Sequence, residues 1–153
     1  YDGVRFGIRL SGTGESWFEA DAPQVDGLYF SGYGPGDAAG DLGDSAITET
    51  VGVGAFCMAA APAVVPYVGA GGFQDAVAIT NEMVEITAAR NPDFAIPALD
   101  FGGAPTGIDV RLVAATGIEP IINTGNSYYF DFTVTYDVAT GDLHLSDPSR
   151  KGA

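Results

Sequence analysis

The chain has few of the residues from which catalytic and metal sites are commonly built. Its 153 residues include one cysteine, one histidine and six lysines and arginines. One cysteine excludes a disulfide framework within the chain. A lone His144, with no second histidine and no cysteine pair, leaves nothing for a zinc tetrad, and it falls between Leu143 and Leu145 at a solvent-facing strand position. Asp37, Asp41 and Asp44 lack the alternating spacing and distal glutamate of a calcium loop. No metal and no other cofactor is expected. Six cations are too few to track a phosphate backbone, so a nucleic-acid partner is excluded.

What the chain does have is acid and apolar bulk. Twenty acidic residues give a formal net charge of -14 and a pI near 4.1, while 46% of residues are hydrophobic and 17% charged. A chain of this size buries roughly 68–70% of its unfolded surface, so one domain, residues 1–153, is expected. Cys57 lies among alanines and a methionine, which fits a reduced, buried, small hydrophobe and favours a cytoplasmic setting. The apolar segment from Val51 to Gly69 reads as a buried helix. Pro62, Pro66 and its glycines interrupt it and no Lys or Arg flanks it, which argues against a membrane span. The first residue is Tyr1, not Met, so the chain reads as a processed or excised piece, and no signal peptide is visible in it.

Periodicity predicts the elements. Val4–Leu10 and Trp17–Ala20 read as strands around the turn Ser11-Gly12-Thr13-Gly14, with Arg5 and Arg9 on one face, and Ser31–Gly43 reads as a loop. Gln74–Arg90 is an amphipathic helix with Ala76, Ile79, Met83 and Ile86 as its apolar stripe, stopped by Asn91-Pro92. Then comes a strand–loop–helix–strand unit: Phe94–Leu99, the loop "FGGAPTG", a helix from about Ile108 to Thr116 ended by Gly117, and Glu119–Asn123. A crossover of that length joins parallel strands. Strict alternation of Phe130, Phe132, Val134, Tyr136 and Val138 with polar residues, followed by a turn and Leu143–Leu145, predicts a C-terminal hairpin. The expected class is α/β or α+β: a mixed sheet with packed helices and that terminal hairpin.

Three short stretches carry the candidate chemistry. In "GDSAITET", Asp44 suits an N-cap, and Ser45, Thr48, Glu49 and Gly52 share one side of a helix start. These polar groups either cap a buried helix or form a pocket floor whose backbone amides hold an anion. "APTGIDVR" and "INTG" offer further amides and hydroxyls, with Arg111 as a scarce cation. Were the unit parallel, both stretches would meet at the sheet edge where α/β folds bind ligands. Neither is a Walker A or GxGxxG sequence. The candidate anion-binding residues are Ser45, Thr48, Thr106, Gly107, Arg111, Asn123 and Thr124; Glu49 and Asp109 are the candidate proton carriers, though helix-start roles also explain both.

Over "DGLYFSGYGPGDAAGDLGDSAITETVGVGAFCMAAAPAVVPYVG" and "NPDFAIPALDFGGAPTGIDVRLVAATGIEPIINTG" the sequence resembles the YlbE-like family, which includes an AllG-like subunit of oxamate carbamoyltransferase. The resemblance covers about residues 3 to 125. It implies a cytoplasmic, multi-subunit enzyme of allantoin breakdown that joins carbamoyl phosphate and oxamate into oxalurate and phosphate. It also implies that this chain is a fragment or truncated form of a longer protein, with residues 126–153 outside the likeness. It supplies no catalytic residues. The expected partners are a small anionic substrate (carbamoyl phosphate, oxamate or phosphate) and other subunits or copies of the chain. The rival expectation is a non-catalytic assembly module, suggested by the absence of a nucleophile–base pair. A stand-alone acidic binding protein is a third.

Overall fold

The computed structural model describes residues 4–22, 24, 29–40, 49–65, 71–123, 127–129, 133–136 and 143–146. Two strands, β1 (Arg5–Ile8) and β2 (Phe18–Asp21), form the first antiparallel hairpin, with Arg5 opposite Asp21 and Ile8 opposite Phe18. The turn-rich stretch after Leu10 closes it as expected. Arg5 pairs with Glu19 at 3.2 Å, and Arg9 pairs with Glu15 at 3.2 Å while its guanidinium lies 5.7 Å from the Trp17 ring centre.

The apolar segment is not one helix. Glu49 is helical, the chain turns at Thr50–Gly52, and Gly54–Ala60 then forms 3-10 turns kinked at Cys57. The cause is backbone geometry: Gly52 and Gly54 take φ of 93° and 69°, values that interrupt a right-handed helix and that glycine tolerates. These short turns are nonetheless the centre of the core. Ala55, Phe56, Met58 and Ala59 are buried on them, and a fully buried Phe56 stabilises by roughly 1.5–3 kcal/mol relative to an exposed ring.

Helix α1 (Phe73–Glu85) packs on this segment through the expected stripe. Ala76, Met83 and Ile86 are fully buried and Ile79 partly so, joined by buried Thr80, whose hydroxyl accepts from the Ala59 amide at 3.1 Å. The helix is shorter than predicted. From Thr87 the chain is already strand β3 (Thr87–Ile96), so Arg90 sits opposite Pro105 rather than at a helix end.

The largest correction concerns "FGGAPTG". It is mainly strand β4 (Gly102–Ile108), antiparallel to β3 from Thr87 opposite Ile108 to Ile96 opposite Gly102. The ladder shifts between Asn91 and Ala95, where Gly103 lies so near the Asn91 backbone that a Cβ would strike it. Glycine here serves close approach instead of a turn. Helix α2 (Val110–Thr116) follows, capped by Asp109 and ended by Gly117 at φ 73°, as the sequence implied. Strand β5 (Ile121–Asn123) pairs with β6 (Ser127–Tyr129), and β7 (Thr133–Tyr136) with β8 (Leu143–Ser146). The terminal hairpin is therefore present, with Thr135 opposite His144.

The class is α+β. In place of the expected mixed sheet, the described strands form four two-stranded antiparallel ladders, and no parallel crossover joins them. Ile121 and Ile122 of β5 enter the same core cluster as Phe56, Met83 and Val113, and the Ile121 amide donates to the Met83 sulfur at 3.4 Å. Backbone packing places β7 beside α2 and β8 beside β2.

Candidate functional site

Two of the three candidate stretches meet at one corner, and a single carbonyl joins them. The Thr50 carbonyl accepts both the Thr106 hydroxyl and the Gly107 amide, each at 2.8 Å. One residue on, the Val51 carbonyl accepts from the Asn91 side-chain amide at 3.2 Å. The turn holding these carbonyls closes with the Gly52 amide donating to Glu49 O at 3.0 Å. Gly52 is required by contact as well as by φ: a Cβ would lie 2.8 Å from the Pro105 carbonyl.

Glu49 lies beneath that turn with no exposed surface. Its Oε2 accepts the Phe56 amide at 3.3 Å, and Gly54 crosses so close to the carboxylate that any side chain there would collide with it. Burying a carboxylate is costly unless hydrogen bonds compensate it, so this group orders the Glu49–Phe56 turn. The neighbouring Cys57 thiol is raised above its ordinary 9.0, first by burial and then by the Glu49 charge. It donates to Gly54 O at 3.6 Å and is a poor nucleophile, which agrees with the small-hydrophobe expectation even though it is partly exposed.

Asp109 follows Ile108 and caps α2 by accepting the Arg111 amide at 3.0 Å. Its carboxylate also takes two bonds from the Arg111 guanidinium, Nε to Oδ1 at 2.9 Å and Nη2 to Oδ2 at 2.5 Å. The Arg111 side chain bonded to it holds the Asp109 carboxyl down at about 2. Asp109 is therefore ionised at neutral pH. The Arg111 side chain is 77% exposed and that of Asp109 15%.

Thr106 and Gly107 are joined to the Glu49 turn through Thr50, and Asp109 and Arg111 follow them in sequence at the start of α2. The donors of Thr106 and Gly107 point at Thr50 O. Ser45, Thr48 and Thr124 lie outside the described residues. Asn123 ends β5, whose Ile122 packs in the core beside Phe56; its side chain is not described. Sequence reasoning missed Asn91, read there only as a helix stop, although an Asn before Pro is suited to side-chain hydrogen bonding with nearby backbone. It also missed the contact roles of Gly52 and Gly54. Among the described residues no group of three or more His, Cys, Asp or Glu could hold a metal ion, and no helix is long and apolar enough to cross a membrane. The N-terminus of α1 is closed by Asp75, which accepts the Gly72 amide at 2.6 Å.

These features define a small α+β unit whose polar corner is assembled from a glycine turn and a strand end. The family model for oxamate carbamoyltransferase subunit AllG matches residues 1–45. The chain is 52% identical over 124 residues to the oxamate carbamoyltransferase subunit AllG of Escherichia coli K12, which covers 81% of this chain and 30% of that protein. It is 50% identical over 123 residues to the uncharacterized protein YahG of the same strain, covering 80% of this chain and 26% of that one. A crystal structure of a conserved protein of unknown function from Enterococcus faecalis V583 matches with a TM-score of 0.73 and 48% identity, over 95% of this chain and 34% of that chain. Over these residues the chain belongs to the AllG-like family. It spans about a third or less of the length of the relatives it matches.

Proposed function

We propose that the chain forms part of a carbamoyltransferase subunit of the oxamate type and supplies one wall of its anion site. The supporting observation is the joint acceptance of Thr106 and Gly107 by the Thr50 carbonyl, which fastens the end of "GDSAITET" to "PTGIDVR". The name carried by the 52% identical relative agrees with it. In the proposed reaction the amide nitrogen of oxamate bonds to the carbamoyl carbon of carbamoyl phosphate and the carbon–oxygen bond to phosphate breaks. The nitrogen proton leaves with the phosphate, giving oxalurate and hydrogen phosphate in a cytoplasmic route of purine breakdown.

Such a step needs positioned donors and a cation more than a covalent nucleophile. Arg111 is the cation that a carboxylate or phosphate engages, sharing it with ionised Asp109, whose two bonds to the guanidinium orient it and whose low pKa makes it a poor proton acceptor. Ser45, Thr48, Asn123 and Thr124 are the proposed further donors. Glu49, being buried, positions the turn. Calorimetry of the chain with phosphate, oxamate and carbamoyl phosphate tests this. Binding that weakens tenfold or more in Arg111→Ala, with an unchanged thermal midpoint, is expected. Equal binding by Arg111→Ala removes Arg111 from the site, and loss of folding marks it as structural.

A second proposal, the non-catalytic assembly module, is favoured by the inward aim of the Thr106 hydroxyl and Gly107 amide. Silence with all three ligands, together with co-purification of another subunit, selects it.

A further inference from the structure

The β3–β4 hairpin turns through Asp100 and Phe101, whose φ values are 53° and 61°. They follow the short 3-10 turn Pro97–Leu99, and two consecutive left-handed residues adopt a conformation that glycine or asparagine usually fills. Asp is tolerated in the first place, but a phenylalanine in the second is strained, because its Cβ crowds the backbone. The Phe101 amide donates to Ile96 O at 3.1 Å, yet the ring is 73% exposed. Within the chain the ring gains little packing to offset that strain. Phe94, in the bulge of β3, is also 45% exposed. Among the described residues the carboxylates of Asp93 and Asp100 have no hydrogen-bond or ion-pair partner.

We propose that this hairpin tip docks another subunit of the same enzyme, through an apolar pocket for the Phe101 ring rimmed by lysine or arginine that faces Asp93 and Asp100. The inference rests on the subunit role proposed above. Charge selects the occupant: a second copy of a chain carrying -14 would set acid against acid at this tip, whereas a basic rim is complementary. A single aromatic seated in a pocket commonly dominates such a contact, and the rim charges govern its rate and salt dependence.

The test uses the chain with the other oxamate carbamoyltransferase subunits of Escherichia coli K12, comparing the wild type, Phe101→Gly and an Asp93→Asn/Asp100→Asn double variant. Phe101→Gly is expected to weaken association tenfold or more. Its thermal midpoint should be unchanged or higher, since glycine accepts the left-handed conformation. The double variant should lose most of the salt dependence. Undiminished association of Phe101→Gly, or unaltered salt dependence, overturns the inference and leaves the subunit role standing. If the wild type binds none of those subunits, the subunit role itself falls and the inference with it. Sedimentation of the chain alone adds a control: a dimer that Phe101→Gly abolishes assigns the tip to a second copy and overturns the chosen partner.

Discussion

The residue that most shapes the corner is Glu49, a fully buried carboxylate bonded to the Phe56 amide. From sequence it was legible as an acid near a helix start and a candidate proton carrier; its burial depended on Gly54, which folds back over it and is small enough to fit. Its charge should be felt at Cys57. Alkylation by iodoacetamide at pH 8 is expected to be slower than that of a free thiol. Glu49→Gln should lower the Cys57 pKa and speed the reaction, modestly, because burial is the larger cause. An identical pH profile in the variant would show that the carboxylate is not ionised there. Asp109 makes an independent prediction. Its folded pKa of about 2 lies below the usual carboxylate value, so its stabilising effect is present above about pH 4 and fades as pH falls toward 2. In acid titrations followed by circular dichroism, Asp109→Asn should remove that part of the pH dependence; an unchanged curve would show that the pairing with Arg111 does not persist in solution.

Elements are held together at this corner by backbone contacts more than by side-chain ion pairs. Gly52→Ala forces a Cβ against the Pro105 carbonyl in a left-handed conformation, and should cost roughly 1–3 kcal/mol in urea unfolding. Thr106→Val removes one of two donors to Thr50 O while Gly107 keeps the other, so a loss of about 0.5–1.5 kcal/mol is expected. Larger damage from Thr106→Val than from Gly52→Ala would reverse the ranking of hydroxyl and turn. The apolar stripe of α1, the Asp109 cap, the Gly117 stop and the pairing of β7 with β8 were all legible, because each follows from a local period or a cap. The β3–β4 ladder was not. Gly102, Gly103 and Pro105 are residues that normally signal a loop, and only their pairing with Thr87–Ile96, fixed by tertiary contact, makes them a strand. For the same reason the parallel crossover expected to bring "APTGIDVR" beside "INTG" is absent, and Thr106 instead meets Thr50, in an antiparallel hairpin beside a glycine turn.

At the scale of the molecule, a chain with six cations places Arg111 at the exposed start of a helix beside an ionised aspartate. An acidic body repels anionic substrates at long range, so binding should strengthen with moderate salt if the site itself is unchanged. Because the chain spans about a third or less of its relatives, the proposed chemistry belongs to the assembled enzyme. The decisive measurement is oxalurate and phosphate formation from oxamate and carbamoyl phosphate by the chain combined with the other carbamoyltransferase subunits. Turnover by the wild type, with the KM for oxamate raised about tenfold or more in Arg111→Ala, is expected. Equal kinetics for the two proteins would contradict an anion wall at this corner.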